Sequence, residues 1–275
     1  MPVGAAGGRY DLDAIELRGV SRSFDINAER LTALAGLDLH VAEREIVSIV
    51  GPNGCGKSTL LRVISGLLAP DRGTVLAFDS TVAGVEPRMG LVFQEPRLLP
   101  WRTVLDNVAF PLELAGVDRA EREARAKAVL SLTGMDGFGA AYPDQLSGGM
   151  AQRAALARVL APEPDVLLLD EPFSALDALT RERLDSELLT LWGATGTTIV
   201  LVTHSISEAV FLSDRVLVMS PRPGRVVAEI AVDAERPRSL SGPDAALYGQ
   251  AADDVRRALA EAEAAADPVG QRAAA

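Results

Sequence analysis

The chain has 275 residues, 48% hydrophobic and 24% charged, with a formal net charge of −11. A chain of this size can bury roughly three quarters of its unfolded surface, so a sizeable core forms without disulfides, and the composition is neither disordered nor fibrous. A single cysteine excludes an intrachain disulfide or a cysteine-based zinc site, and the acidic balance argues against nucleic acid as a partner.

Strand-length apolar runs are predicted at Ala14 to Leu17, Ile46 to Val50, Met89 to Phe93, Val166 to Leu169, Thr198 to Val202 and Val216 to Met219. Helical patterns follow several of them, which points to an α/β protein with a buried, largely parallel sheet. From about Trp101 to Leu160 the pattern changes: helical segments such as Arg119 to Leu132 and Gly149 to Leu160 follow one another with no strand between them. This reads as a helical subdomain of about residues 101–160, inserted between two sheet strands. Glu235 to Pro243 is rich in Pro, Ser and Arg and reads as the core of a linker over residues 233–243. A last helix is predicted over 244–266, with Leu247, Ala251, Val255 and Leu259 on one face packing against the chain's own domain; residues 267–275 read as disordered. No run approaches the roughly 18 apolar residues of a bilayer span, and Met1 to Arg9 lacks the apolar segment of a secretory signal.

Only Lys57 and Lys127 are lysines among the 27 basic residues, so each use of lysine asks for a reason. Lys57 ends the run Gly51, Pro52, Asn53, Gly54, Cys55, Gly56, Lys57, Ser58, which matches the phosphate-binding pattern G-x-x-x-x-G-K-S/T and is followed by Thr59. The run lies between a predicted strand and a helix start, as the pattern requires. Its glycines let successive backbone N–H groups turn toward phosphate at the positive end of the helix. Lys57 adds a compact ammonium there, and the Ser58 hydroxyl suits magnesium. The run Val166 to Leu169 ends in Asp170 and Glu171. Asp170 is placed for a second magnesium contact, and Glu171 as a general base or positioner for the water that attacks the γ-phosphate. Leu146, Ser147, Gly148, Gly149 and Met150 lead into a helix, and a Ser-Gly-Gly turn at a helix start is a natural anion site. Gly149 precedes Asp170 by 21 residues.

In this order and spacing the motifs resemble the ATP-binding cassette family over about residues 12–232. The fold that the resemblance implies is a P-loop, RecA-like α/β core with an antiparallel β subdomain and the inserted helical signature subdomain. It implies ATP and Mg2+ as ligands, with Ser58, Gln94 and Asp170 toward the metal. Leu146 to Gly149 would bind the γ-phosphate of ATP held by a partner subunit. Gln94 would link the site to the transport subunit, and Asp177, ending Ser174 to Asp177, would cross the dimer seam. His204 would contact the γ-phosphate, and Phe24 would stack on adenine. Met150 replaces the glutamine of many members, and Phe24 stands where tyrosine is common. Cys55 reads as a small residue tolerated in a backbone-made loop, with a redox-sensitive thiol at a helix terminus as the alternative.

The segment from Leu99 to Asn107, with Pro100, Trp101 and Arg102, and the segment Met219 to Arg225 resemble the subgroup that serves nitrate, sulfonate and taurine importers. That likeness implies a homodimeric ATPase at the cytoplasmic face of the membrane. Its partners would be two integral-membrane permease subunits and, indirectly, an extracytoplasmic solute-binding protein, with no nucleic acid. The alternative is a soluble cassette ATPase of DNA repair or translation. A P-loop kinase or GTPase would leave Ser147 and His204 without roles.

Overall fold

The computed structural model describes residues 13–26, 29–174, 176–236, 238, 242 and 245–266. In chain order these form β1 (Asp13–Ile26), β2 (Glu29–Ala42), β3 (Ile46–Val50), α1 (Lys57–Ile64), β4 (Arg72–Ala77), β5 (Ser80–Thr81) and β6 (Met89–Val92). There follow α2 (Val104–Leu114), α3 (Arg119–Leu132), α4 (Gly148–Leu160), β7 (Val166–Asp170), α5 (Ala178–Thr195), β8 (Thr198–Val202), α6 (Ile206–Leu212), β9 (Arg215–Met219), β10 (Val226–Ala231) and α7 (Ala245–Ala266).

The central sheet has six strands in the order β10-β9-β3-β8-β7-β6, with every pair parallel except β10 on β9. Every residue of β3, β7 and β8 is buried, which is why these strands read as unbroken apolar runs. Their side chains alternate between two cores: Leu167 and Leu169 face one with α5, α6 and α7, while Val166 and Leu168 face the other with α1 and the second sheet. That second sheet is antiparallel, in the order β2-β1-β4-β5. The fold class expected from the resemblance is thus observed. Between β6 and β7 the chain supplies helices, whose own core joins Val108, Leu112, Leu130 and Ala157.

Four differences from the sequence reading have physical causes. β1 runs nine residues beyond the expected segment at its C-terminal side because β2 and β4 flank it on both edges. Those partners, with β5 and β10, were not among the expected strands. Phe93 lies just past the end of β6. On α7 the buried face is Tyr248, Ala251, Ala252, Val255 and Ala262, with Leu259 partly buried, while Leu247 is exposed. Tyr248 meets Phe211 of α6 edge to face at 6.1 Å, which turns the helix away from Leu247.

The expected linker is anchored at Ala234, Arg236 and Arg238, while Asp233 and Glu235 are exposed. Val232 and Ala234 are buried in the core. Arg238 donates to the carbonyls of Phe211 and Ser213 at 2.9 and 2.8 Å, at the C-terminal end of α6, where unpaired carbonyls favour a cation. Arg236 pairs with Asp214, donates to the Leu212 carbonyl at 2.9 Å and stacks 4.3 Å over Trp192. The expected disordered tail lies outside the described residues.

Candidate nucleotide site

The parallel strands deliver the motif residues to one end of the sheet: Gly51 follows β3, Asp170 closes β7, and His204 lies just past β8. Ligands of open α/β sheets bind at this carboxyl end. Gly56 caps α1 with φ +113°, a conformation that L side chains rarely adopt, and a Cβ there would stand 2.9 Å from the Ala33 carbonyl. No side chain caps this helix start, which leaves its first N–H groups available to an anion. Lys57 is 6% exposed, and its ammonium donates to the Gly51 and Pro52 carbonyls at 2.8 and 3.1 Å. An ammonium has three donors, and the loop holds two of them.

A cavity of about 250 Å³ opens over this loop, walled by Asn53, Gly54, Gly56, Lys57, Ser58, Thr59, Phe24, Leu31, Ala33, Glu171 and Arg222. The Arg22 guanidinium lies 5.2 Å from the centre of the Phe24 ring, and Arg22 is itself tied to Asp71 at 2.9 Å, which steadies an aromatic face suited to a base. Cys55 is 1% exposed, and burial pushes its thiol up more than nearby Lys57 draws it down, which favours the small tolerated residue over the redox-sensitive thiol.

The Ser58 hydroxyl donates to Asp170 Oδ1 at 2.9 Å. Burial raises Asp170 above the usual carboxylate range, against the hydrogen bond from Ser58. A hydroxyl and a buried carboxylate side by side are hard oxygen donors, the set that Mg2+ takes alongside phosphate oxygens. Glu171 stands next to them at φ +48°, a conformation costly for a non-glycine residue and typical of functional sites. Its N–H donates to the Val202 carbonyl at 2.9 Å and its own carbonyl accepts from Ser174 Oγ at 3.1 Å, so the turn is held on both sides. Glu171 Oε2 accepts from Gln94 Nε2 at 3.4 Å and lies 3.3 Å from His204 Nδ1. Gln94 Nε2 is also 3.4 Å from Ser174 Oγ. These are long contacts of the kind that tighten when substrate arrives.

The remaining motif residues form a second group. Ser147 caps α4, its Oγ accepting from the Met150 N–H at 3.4 Å, and it is exposed. A Cβ on Gly149 would lie 3.4 Å from Leu176 and 3.7 Å from Thr180, so this turn sits beside the loop of Asp177. Asp177 caps α5, accepting from the Thr180 N–H at 3.0 Å and its hydroxyl at 2.7 Å. Neither Leu146 to Gly149 nor Asp177 walls the cavity.

Residues that the sequence reading did not single out complete the arrangement. Buried Gln152 of α4 donates to the Phe93 carbonyl at 3.3 Å, and Arg158 donates to the carbonyls of Arg97 and Pro96 at 2.7 and 2.9 Å. They tie the helix behind Ser147 to the segment on either side of Gln94. Asn107 is fully buried: it accepts from the Leu99 N–H at 2.7 Å and donates to the carbonyls of Leu99, Arg102 and Thr103 at 3.0–3.1 Å. This knot holds Trp101 outward, 71% exposed. Arg222 was read only as part of a subgroup segment, though it reaches the phosphate loop. The turn that carries it is closed by the Ser220 N–H, which donates to the Arg225 carbonyl at 2.9 Å, and nothing local in the sequence marks the reach of Arg222.

A phosphate cradle at the end of a parallel sheet, with hydroxyl, carboxylate and glutamate ranged along the next strands, defines a P-loop nucleoside triphosphatase. The sequence profile of the family described as ABC transporter matches residues 34–174. An aliphatic sulfonates import ATP-binding protein, SsuB 2 of Burkholderia cenocepacia, is 47% identical over 239 residues, 87% of each chain. A taurine import ATP-binding protein, TauB of Rhizobium johnstonii, is 50% identical over 204 residues, 74% of this chain and 78% of the relative. Among solved structures, a dimeric post-hydrolysis state of the ATP-binding cassette MJ0796 bound to ADP and Pi superposes with a TM-score of 0.73 at 34% identity, covering 80% of this chain and all of that one. The chain belongs to the ABC transporter family.

Proposed function

We propose that this chain is the ATP-hydrolysing subunit of an importer for a small solute of the sulfonate, taurine or nitrate kind. It acts as a homodimer at the cytoplasmic face of the membrane, beneath two integral-membrane permease subunits that an extracytoplasmic solute-binding protein supplies. No helix among the described residues is long and apolar enough to cross a membrane, which fits a subunit that relies on other chains for the pore.

The observation that carries this reading is the division of the site. One group of residues builds a phosphate cavity, while the Ser147 turn and Asp177 lie together outside its walls. A second copy brings the Ser147 turn over the first copy's cavity, so ATP favours the closed pair. Shifting such a pair from 1:99 to 99:1 takes about 5.5 kcal/mol of differential binding, shared between two sites.

Within the cavity Lys57 and the start of α1 neutralise the phosphates, and Ser58 and Asp170 hold Mg2+, which supplies charge neutralisation at the phosphate oxygens when bound. Glu171 Oε2 accepts the proton of the attacking water. Gln94 and His204 keep that oxygen aimed, and Phe24 offers its ring to adenine. Trp101, exposed on a rigid turn, is the anchor for a permease, since aromatic residues are enriched at interfaces.

The test is deletion of the gene followed by growth on taurine, an alkanesulfonate or nitrate as the sole source of sulfur or nitrogen. Loss of growth on one of them, restored by the wild-type gene and not by Glu171→Gln, is expected. Normal growth on all would overturn the solute class. Copurification with a DNA-repair or ribosomal complex instead of a permease would favour the soluble alternative.

A further inference from the structure

The segment joining β9 to β10 is built against the phosphate loop. Gly224 N–H donates to the Ala33 carbonyl at 2.8 Å, and Ala35 N–H donates to the Gly224 carbonyl at 3.2 Å, so the segment pairs with β2. A Cβ on Gly224 would lie 2.2 Å from the Cys55 carbonyl, so only glycine permits this approach. Ser220 closes the turn, donating to the Pro223 carbonyl and accepting from the Arg225 N–H, both at 3.1 Å.

This braced turn presents one side chain to the cavity. Arg222 Nε and Nη2 both donate to the Gly54 carbonyl, at 3.0 and 2.8 Å. Arg222, Lys57 and Glu171 are the charged residues of the cavity wall. Because a peptide unit is planar, gripping the Gly54 oxygen also fixes the N–H of Cys55, which donates to the Pro52 carbonyl at 3.3 Å. The Pro52 carbonyl in turn accepts from Lys57. One continuous path of hydrogen bonds therefore runs from Arg222 through the loop backbone to the ammonium.

We propose that Arg222 is a positioning residue of the nucleotide site: its guanidinium holds the Gly54–Cys55 peptide and with it the curl of the phosphate loop, and adds a second positive charge at the cavity wall for the polyphosphate of a nucleoside triphosphate. The proposal rests on the reading of this cavity as the ATP site. A grip that is the same before and during phosphoryl transfer acts on substrate binding, so its loss raises KM and spares kcat. Lysine keeps the charge but cannot chelate one oxygen through two nitrogens of a planar group.

The experiment measures ATP KM and kcat, the Kd of a fluorescent ATP analogue, and the thermal midpoint for Arg222→Met, Arg222→Lys and, as a control in the same turn, Arg225→Ala. Arg222→Met is expected to raise KM and Kd about tenfold, the size of one lost charge-assisted hydrogen bond, with kcat within about twofold. Arg222→Lys should fall between it and the wild type, and Arg225→Ala should match the wild type. Unchanged KM and Kd in Arg222→Met, or a lowered midpoint and kcat with KM unchanged, would overturn the proposal; should Arg222→Met fail to fold, the Arg222→Lys values decide by the same criterion. Lys57→Ala separates the two levels. If it loses ATP affinity while both Arg222 variants bind normally, the positioning role alone fails; if Lys57→Ala binds ATP normally, the site reading fails.

Discussion

The cavity over the phosphate loop and the turn at Ser147 present two helix starts in opposite conditions. At the cavity, α1 begins beside a 6% exposed lysine, and its second residue is bonded to Asp170 of a strand 112 residues away. Beside that bond Glu171 meets Gln94 and His204. At Ser147 the helix start is exposed and its cap is one 3.4 Å hydrogen bond to Met150. The first group is finished by its own chain, because buried polar groups must find partners within it. The second leaves its helix start exposed, with exposed Asp177 on the loop beside it, as the proposed dimer requires.

The largest effects are expected where the finished group is cut. Glu171→Gln should lower ATP turnover by about 10²–10⁴-fold, the range of a lost general base, while leaving ATP affinity within a few-fold and trapping an ATP-dependent dimer visible by light scattering. Turnover within tenfold of the wild type would break the assignment. Lys57→Ala should instead weaken ATP binding itself by about 100-fold, read by the fluorescent analogue. The outward group behaves differently if the contrast is sound. Ser147→Arg should leave the Kd of a single chain for ATP within about threefold yet lower turnover about 100-fold, because the partner's cavity goes uncapped. A matching loss of single-chain affinity would show that Ser147 belongs to its own chain's cavity and would dissolve the comparison.

Much of the finished group was legible because its chemistry ties residue type to position. A lysine among 25 arginines, a hydroxyl directly after it and an Asp-Glu pair at the end of an apolar strand have few alternative explanations. The central sheet was legible for a related reason, since strands buried on both faces read as continuous runs. The second sheet was less so, although β2 carries the alternation Leu37, Leu39 and Val41 inward with Asp38 and His40 outward. Arg222 was beyond reach by pattern, since its partner Gly54 is 168 residues away and nothing local marks a guanidinium that grips a distant carbonyl. The linker misled by composition. Proline, serine and arginine suggest solvent, but Arg236 and Arg238 lay their stems along apolar surface and give their heads to carbonyls and Asp214.

The finished side also carries a buried acid that the catalytic scheme does not use, and it offers a pH-dependent sharpening of the contrast. Asp185 of α5 is 5% exposed, with Oδ1 lacking a hydrogen-bond partner. Burial pushes it up to about 8, with Glu208 of α6 raising it further, Arg181 lowering it and Glu182 raising it. Glu208 is itself raised by burial, against a hydrogen bond from Thr203 and the charges of Arg181 and His204. An unfolded aspartate titrates near 3.9, so from about pH 4 to 8 the folded chain holds a proton that the unfolded chain has released. Stability therefore falls as pH rises through that window. Asp185→Asn cannot ionise, so its advantage over the wild type in urea unfolding should widen between pH 6 and 8.5, by about 1 kcal/mol or more. Parallel curves would mean that Asp185 is ionised in the fold.

The smallest effect on the isolated chain belongs at Trp101. Its turn is held by Asn107 and by Arg102, which pairs with Glu113 at 2.8 Å and lies 4.6 Å over Phe110, so the indole itself contributes little to the structure beneath it. Trp101→Ala should change stability by no more than about 0.5 kcal/mol and leave basal ATP turnover unchanged, as for exposed substitutions that touch no cap, core or buried pair. The same variant should lose copurification with the permease, because a large exposed aromatic on a rigid turn is worth most when a partner desolvates it. A marked loss of stability would place Trp101 with the finished half of the molecule, and intact permease binding would remove its turn from the outward-facing half.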